Sequence, residues 1–142
     1  MREVKFRGQR VDNGEWETGS LVTVLINNSC RIFTGKIDIR DWTVENFEVI
    51  PKTVGQFTGH RDKNGKEIFD GDIIRDTGEF AAKEPGIVEW AEDKDDYTYH
   101  CGFRVNWLES FPRRSHLPFW AKEREIEVIG NRFENPDLLG DS

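Results

Sequence analysis

Acidic side chains between residues 84 and 96 are the groups in this sequence whose type and spacing best suit chemistry. The segment contains six acids and one lysine, a local charge of −5. Carboxylate oxygens are the ligands that hard cations prefer. If Asp93, Asp95 and Asp96 converged in a concave pocket, they could support a metal-dependent hydrolase. A solvated hairpin tip ahead of Tyr97 explains the same cluster without any ligand.

A second acidic motif begins at Asp62 and includes Asn64 and Asp72. A calcium-binding EF-hand loop needs acidic or amide side chains at its first, third and fifth positions and glycine at its sixth. Here Gly65 occupies the fourth position and Lys66 the fifth, so the pattern is not that of a calcium loop. We therefore expect these side chains to form turns, for which Asp, Asn and Gly are suited.

Basic and aromatic residues are interleaved between Arg104 and Arg124. Five basic residues stand against two acids there, a local charge of +3. Such a stretch can stack and neutralise single-stranded nucleic acid, and it equally suits the hot spot of a protein interface. A loop whose rings pack on a sheet while its arginines stay hydrated is the third interpretation. The candidate binding residues are Arg104, Trp107, Phe111, Arg113, Arg114, Phe119 and Trp120.

Sequence motifs of the common catalytic families are missing. His100 and Cys101 are adjacent, so a strand places them on opposite faces and they cannot bind one metal together. There is no Gly-x-Ser-x-Gly, no His-Glu-x-x-His and no phosphate-binding P-loop. We therefore expect a noncatalytic protein with no cofactor and no bound metal, in which Cys101 behaves as a small buried hydrophobic residue.

Charge and hydropathy restrict the partners. The chain has 27 acidic and 20 basic residues, a formal charge of −7. A surface of that sign repels nucleic-acid phosphates and anionic lipids unless its positive charges are gathered on one face. No segment approaches the about 18 consecutive apolar residues of a membrane span, and the N-terminus lacks the apolar core of a signal peptide. These features predict a cytoplasmic protein without a membrane partner.

Short β-strands are the elements that we expect to position these groups. From Tyr97 to Trp107 large side chains alternate with other residues, which predicts one long strand with a bend at Gly102. The pairs Asn13-Gly14 and Asn64-Gly65 predict hairpins with type I′ turns. Further strands are predicted at residues 4–7, 21–26, 31–33, 47–50, 67–69, 72–75, 86–90 and 126–129, with a hairpin closed by residues 27–29.

The predicted fold class is mainly β, a short-stranded barrel or sandwich with few short helices. Its basis is the close spacing of strands and turns, which leaves little room for helices. A length of 142 residues fits a single domain. A seam near residues 35–53 would divide it into an N-terminal β lobe of about residues 1–50 and a second small barrel of about residues 51–142.

Three stretches of the chain resemble the YopX family. They are TVGQFTG at 53–59 followed by DKNGKEIFDGDII at 62–74, REVKFRG at 2–8, and IEVIGNRFENPDLL at 126–139. The resemblance implies a β-rich protein of bacteriophages and prophages whose C-terminal part is an SH3-like barrel. It implies no catalytic residues. His60 and Arg61 depart from the family pattern, and the region 81–122 is specific to this chain, so a special partner is expected to bind there.

Three functional hypotheses follow. The first is a noncatalytic phage or prophage accessory protein, located in the bacterial host cytoplasm, that binds another protein or its own copies as a homo-oligomer. Open strand edges and the two oppositely charged stretches would mediate that binding. The second is a module that binds single-stranded nucleic acid through Arg104, Arg113, Arg114, Trp107 and Trp120. The third is the metal-dependent hydrolase.

Overall fold

The computed structural model describes residues 3–35, 44–77, 84–94, 99–107, 115–116 and 126–139. These residues form β-strands and two short 3-10 turns, at Pro51–Thr53 and Pro136–Leu139. The mainly β prediction is confirmed. The strands are β1 (Phe6–Gln9), β2 (Trp16–Val24), β3 (Ser29–Phe33), β4 (Asn46–Val49), β5 (Gly55–Arg61), β6 (Glu67–Phe69), β7 (Asp72–Asp76), β8 (Gly86–Lys94), β9 (Tyr99–Trp107), β10 (Ser115–His116) and β11 (Ile126–Asn131).

Two sheets contain all these strands. One has the order β4-β3-β2-β1-β5-β6 and the other β10-β9-β8-β7-β11. The prediction of a closed barrel is wrong for the described residues, because each sheet ends in two edge strands that no ladder joins. The chain divides into compact units 1–59 and 60–142, whereas the sequence places its seam near residues 35–53.

In the first unit, β2 changes partner at Gly19. Its first half pairs with β1, ending at the pair Phe6 and Gly19, and its second half pairs with β3 from Ser20 onward. The far strand, β4, also meets the chain beyond β1 through an isolated bridge between Arg10 and Val49. The change of partner bends the sheet around a buried core that includes Ile32 and Val49. As a result, the β1–β2 loop lies next to β4.

In the second unit, the core lies on one face of the five-stranded sheet. Phe103 and Val105 of β9 are buried there, as the alternation from 97 to 107 predicts for these two positions. Tyr97 lies outside the described residues, and the register of β8 with β9 passes Gly102 without a shift. The buried cluster comprises Ile68, Ile74, Val88, Phe103, Val105 and Ile126, with Val128 packed against it.

Both Asn-Gly pairs lie at hairpin tips, as predicted, but neither forms a type I′ turn. That turn needs positive φ at two consecutive residues. Here only the glycines have it, with φ of 74° at Gly14 and 81° at Gly65, and Asn13 and Asn64 do not. The hairpin loops are longer than two residues, because Arg10 N–H bonds Glu15 O in one and the other begins at Asp62.

Candidate binding surfaces

The predicted binding stretch is only partly described. Arg104 and Trp107 lie in the backbone of β9, where Arg104 pairs with Glu89 of β8 and Trp107 with Gly86. Phe111, Arg113, Arg114, Phe119 and Trp120 lie outside the described residues. The stretch therefore stays a prediction, in both its protein-binding and its nucleic-acid-binding interpretation.

Asp62 has a structural role. Its side chain is 6% exposed. Oδ1 accepts hydrogen bonds from the backbone N–H groups of Asn64 and Lys66, each at 2.9 Å, and Oδ2 accepts one from Val128 at 3.0 Å. Asp62 thus stabilises the β5–β6 turn and connects it to β11. The expectation that this motif serves turn formation is confirmed at Asp62.

Two other buried polar residues hold turns of the second unit. Asp72, 1% exposed, accepts a hydrogen bond at Oδ2 from Phe69 N–H at 2.8 Å. Asn131 accepts two at Oδ1, from the N–H groups of Phe133 and Glu134, each at 3.0 Å. Asp62, Asp72 and Asn131, which lie in stretches that resemble the family, therefore stabilise the fold.

The acidic segment does not form a described metal site. Asp93 lies in β8 opposite His100 of β9, while Asp95 and Asp96 lie outside the described residues. Within the part of the chain that the structure describes, no three His, Cys, Asp or Glu side chains converge as metal ligands. The hydrolase hypothesis gains no support from these residues.

A groove of about 390 Å³ lies in the first unit beside the β1–β2 loop. Its lining residues belong to that loop and to β3 and β4. Arg10 forms a bidentate ion pair with Asp12, with Nε to Oδ1 at 2.9 Å and Nη2 to Oδ2 at 2.8 Å. The Arg10 guanidinium also lies 3.9 Å from the centre of the Phe47 ring. On the β3 wall, Arg31 donates from Nε to Asn46 Oδ1 at 2.6 Å.

These contacts give the groove a structural interpretation. The hydrogen bond from Arg10 lowers the pKa of Asp12 below its ordinary value of 3.8, and the same contact raises the pKa of Arg10. Both charged groups are thereby stabilised in place, and the guanidinium holds the β1–β2 loop against β4 through Phe47.

We expect Arg10→Met to raise the pKa of Asp12 towards its ordinary value. Because the folded-state pKa of Asp12 is lowered, its contribution to stability is present above the unfolded pKa and is lost as pH falls through the folded one. An NMR titration of the Asp12 side-chain carbon in both proteins measures the effect. Arg75→Met, which removes an exposed arginine paired with Glu127, is the control and should leave the Asp12 titration unchanged. An unchanged titration in Arg10→Met would contradict this assignment.

An apolar hairpin tip joins β2 to β3. Leu25 and Ile26 are 89% and 95% exposed there. The sequence predicts a strand up to residue 26, but β2 ends at Val24, which pairs with Ser29 and leaves both side chains in the turn. No charged residue occurs between Glu17 and Arg31. That uncharged run of sequence was the available signal for this surface.

The β8–β9 hairpin is the longest in the described residues. Its nine residue pairs run from Gly86 and Trp107 to Lys94 and Tyr99. Near its outer half, Trp90 is 47% exposed and contacts the Phe103 ring edge-on, with ring centres 5.1 Å apart. An exposed tryptophan on a strand is a common anchor in protein interfaces.

The fold and the surfaces are those of a small antiparallel β protein. Its buried acidic residues, within the part that the structure describes, stabilise turns. The family model of the YopX protein matches residues 5–140, and the chain belongs to that family. The crystal structure of protein EF1440 from Enterococcus faecalis is similar over 99% of this chain and 100% of that one, with a TM-score of 0.54 and 23% identity. This similarity shows that the two proteins share a fold. A comparison with curated proteins finds no match.

No helix in the described residues is long and apolar enough to cross a membrane.

Proposed function

We propose that this chain is a noncatalytic accessory protein of a phage or prophage that acts in the host cytoplasm by binding another protein or further copies of itself. The phage setting follows from the family resemblance of the sequence. The β2–β3 tip is the observation that carries the binding proposal. Two adjacent large apolar side chains that are almost wholly exposed favour a surface that is covered in a complex.

The tip can make a large contribution to the free energy of binding. Burying one large aliphatic side chain contributes about 1.5 to 3 kcal/mol. Leu25 and Ile26 together could therefore contribute at least about 3 kcal/mol, which corresponds to roughly a hundredfold in affinity. The uncharged flanks of the tip remove the cost of desolvating charges at the same contact.

The predicted stretch from Arg104 to Trp120 is proposed as a second part of the binding surface. Its arginines and aromatic rings have the composition of an interface hot spot. The SH3-like barrel predicted for the C-terminal part includes residues 108–125, most of which lie outside the described residues. It therefore stays a prediction.

We expect the double variant Leu25→Ser, Ile26→Ser to lose binding without losing stability. Its partner affinity should fall roughly a hundredfold, because two buried apolar contacts are removed. Its melting temperature should stay within about 2 °C, because exposed positions contribute little to folding. Affinity capture from host cells carrying the phage, followed by titration of the captured protein, measures the effect. Val4→Ser, at a position that is 63% exposed, is the matched control.

Three outcomes would contradict this proposal. One is a partner bound equally well by wild type and the tip variant. Another is a monomer at every concentration and salt that captures no protein. The third is binding of single-stranded nucleic acid that weakens with salt and is lost in Arg113→Ala, Arg114→Ala, which would favour the alternative function.

A further inference from the structure

The exposed apolar side chains of the described residues differ in the charges around them. The large ones that are exposed are Val4, Val11, Val22, Leu25, Ile26 and Trp90. Val4, Val11 and Trp90 each have a charged residue as an immediate neighbour in the sequence. The other three, here called the tip patch, lie within residues 18–30, a run without any charge in a chain of which 33% is charged.

The turn of the β2–β3 hairpin holds the tip patch in a defined shape. The ladder ends at the pair Val24 and Ser29, so Leu25 and Ile26 lie beyond the last pair. Within the turn, Asn27 Oδ1 accepts a hydrogen bond from Ser29 N–H at 3.0 Å. A turn that is already ordered loses little further conformational freedom when its side chains are covered by a partner.

The charge of the chain favours a second copy as the occupant of this patch. Around a two-fold axis a surface meets its own copy, so a charged surface faces charges of the same sign, which oppose association. The net charge of −7 makes such repulsion the general case for this chain. The tip patch carries no charge and is apolar, so it is complementary to itself. The first charged residue beyond it on β3, Arg31, is paired with Glu48 at 3.9 Å.

We infer that the tip patch binds the tip patch of a second copy of this chain, with Leu25 and Ile26 packed against the partner's Leu25 and the partner's Ile26 around a two-fold axis. This inference rests on the proposed function and names the partner of that surface. A stable complex uses about 20 to 30 residues of each chain, far more than this patch contains. We therefore expect a weak, reversible dimer with a dissociation constant of roughly 0.1 to 1 mM.

Salt dependence distinguishes this contact from one made by opposite charges. Added salt screens the repulsion between two acidic chains, because the Debye length falls from about 30 Å at 0.01 M to about 3 Å at 1 M. The apolar contact itself is not weakened by that screening. We therefore expect the dissociation constant of the dimer to fall severalfold between about 0.01 and 1 M sodium chloride. Sedimentation equilibrium of the full chain at concentrations up to about 1 mM measures it.

A charge placed at the tip tests the contact directly. In Ile26→Glu the two new carboxylates face each other across the axis, and we expect the dissociation constant to rise at least about tenfold. Val4→Glu adds the same charge at a position of the first unit that is 63% exposed, and it should change the constant less than about twofold. Leu25→Ser, Ile26→Ser adds no charge and should weaken the dimer as well, because it removes the apolar contact. Circular dichroism verifies that the variants stay folded.

Failure of this inference can be told apart from failure of the proposed function. A wild type that stays monomeric at the highest concentration and salt would overturn the pairing of tips. Association that weakens as salt rises, or equal effects of Ile26→Glu and Val4→Glu, would do the same. The proposed function would still stand in these cases if the Leu25→Ser, Ile26→Ser variant lost a different protein that wild type captures.

Discussion

Replacing Asp62 by alanine is expected to destabilise the protein by roughly 3 to 5 kcal/mol, since three backbone N–H groups would lose a charged acceptor. These donors belong to Asn64, Lys66 and Val128, and the carboxylate is nearly buried, so water replaces it poorly. The loss is a large fraction of the about 5 to 15 kcal/mol by which domains are stable. Urea unfolding followed by the fluorescence of the five tryptophans measures the effect.

Asp62→Asn is the matched variant. Its amide oxygen can still accept from Asn64 and Lys66, while its NH₂ group would face the Val128 N–H and could not accept from it. We therefore expect a smaller loss, of about 1 to 2 kcal/mol, and faster hydrogen exchange at Val128 than at Lys66. Equal losses in the alanine and asparagine variants, or a loss below about 1 kcal/mol in both, would show that these hydrogen bonds do not hold the turn.

The same residue shows what could be predicted from the sequence around the acidic motif. The position of glycine in the motif excludes a calcium loop and favours a turn, which is what Asp62 forms. The bond from Val128 to Asp62 spans 66 positions of the chain. No local pattern contains a contact of that separation, because it depends on where β11 lies in the sheet. Turn formation was therefore predictable and the connection to β11 was not.

Strand prediction succeeded where apolar residues alternate and failed where glycines interrupt the pattern. The alternation from 97 to 107 predicts β9, because Phe103 and Val105 face one core. The β5 strand was missed, because its glycines suggest turns. In the structure Gly55 lies in the ladder opposite Arg7, and Gly59 continues the strand with φ of 88°. Whether a glycine lies in a strand or in a turn is determined by the residues that are close to it in space.

The exposed tip was missed for a related reason. Periodicity identifies the apolar run that ends at Ile26 but does not say where the strand stops and the turn begins. That boundary is set by the pairing of Val24 with Ser29 and by Asn28, whose φ of 56° is the left-handed conformation that asparagine tolerates. Leu25 and Ile26 lie outside the ladder as a result. The proposed function rests on their exposure, which follows from the register in which β2 pairs with β3.

Gly19→Ala is expected to destabilise the protein by roughly 3 kcal/mol or more, because the new methyl group overlaps backbone that cannot move away. A Cβ at Gly19 would lie 2.1 Å from Phe33 O and 2.9 Å from Phe33 C. Phe33 is held in a ladder on both sides, opposite Ser20 and Asn46. Relieving the overlap would separate β2 from β3 at the point where β2 changes partner.

Gly59→Ala is the informative comparison for Gly19, because the two glycines differ in why they are needed. Gly59 has φ of 88° and no heavy atom within 4 Å of an added Cβ, so alanine there costs only the strain of a left-handed backbone, about 1 to 2 kcal/mol. Gly19 has ordinary φ and no space. If close approach of β2 to β3 governs the fold of the first unit, Gly19→Ala must be the more damaging change in urea unfolding. The reverse order would mean that β2 can shift at Gly19, and the bend would then be a flexible hinge.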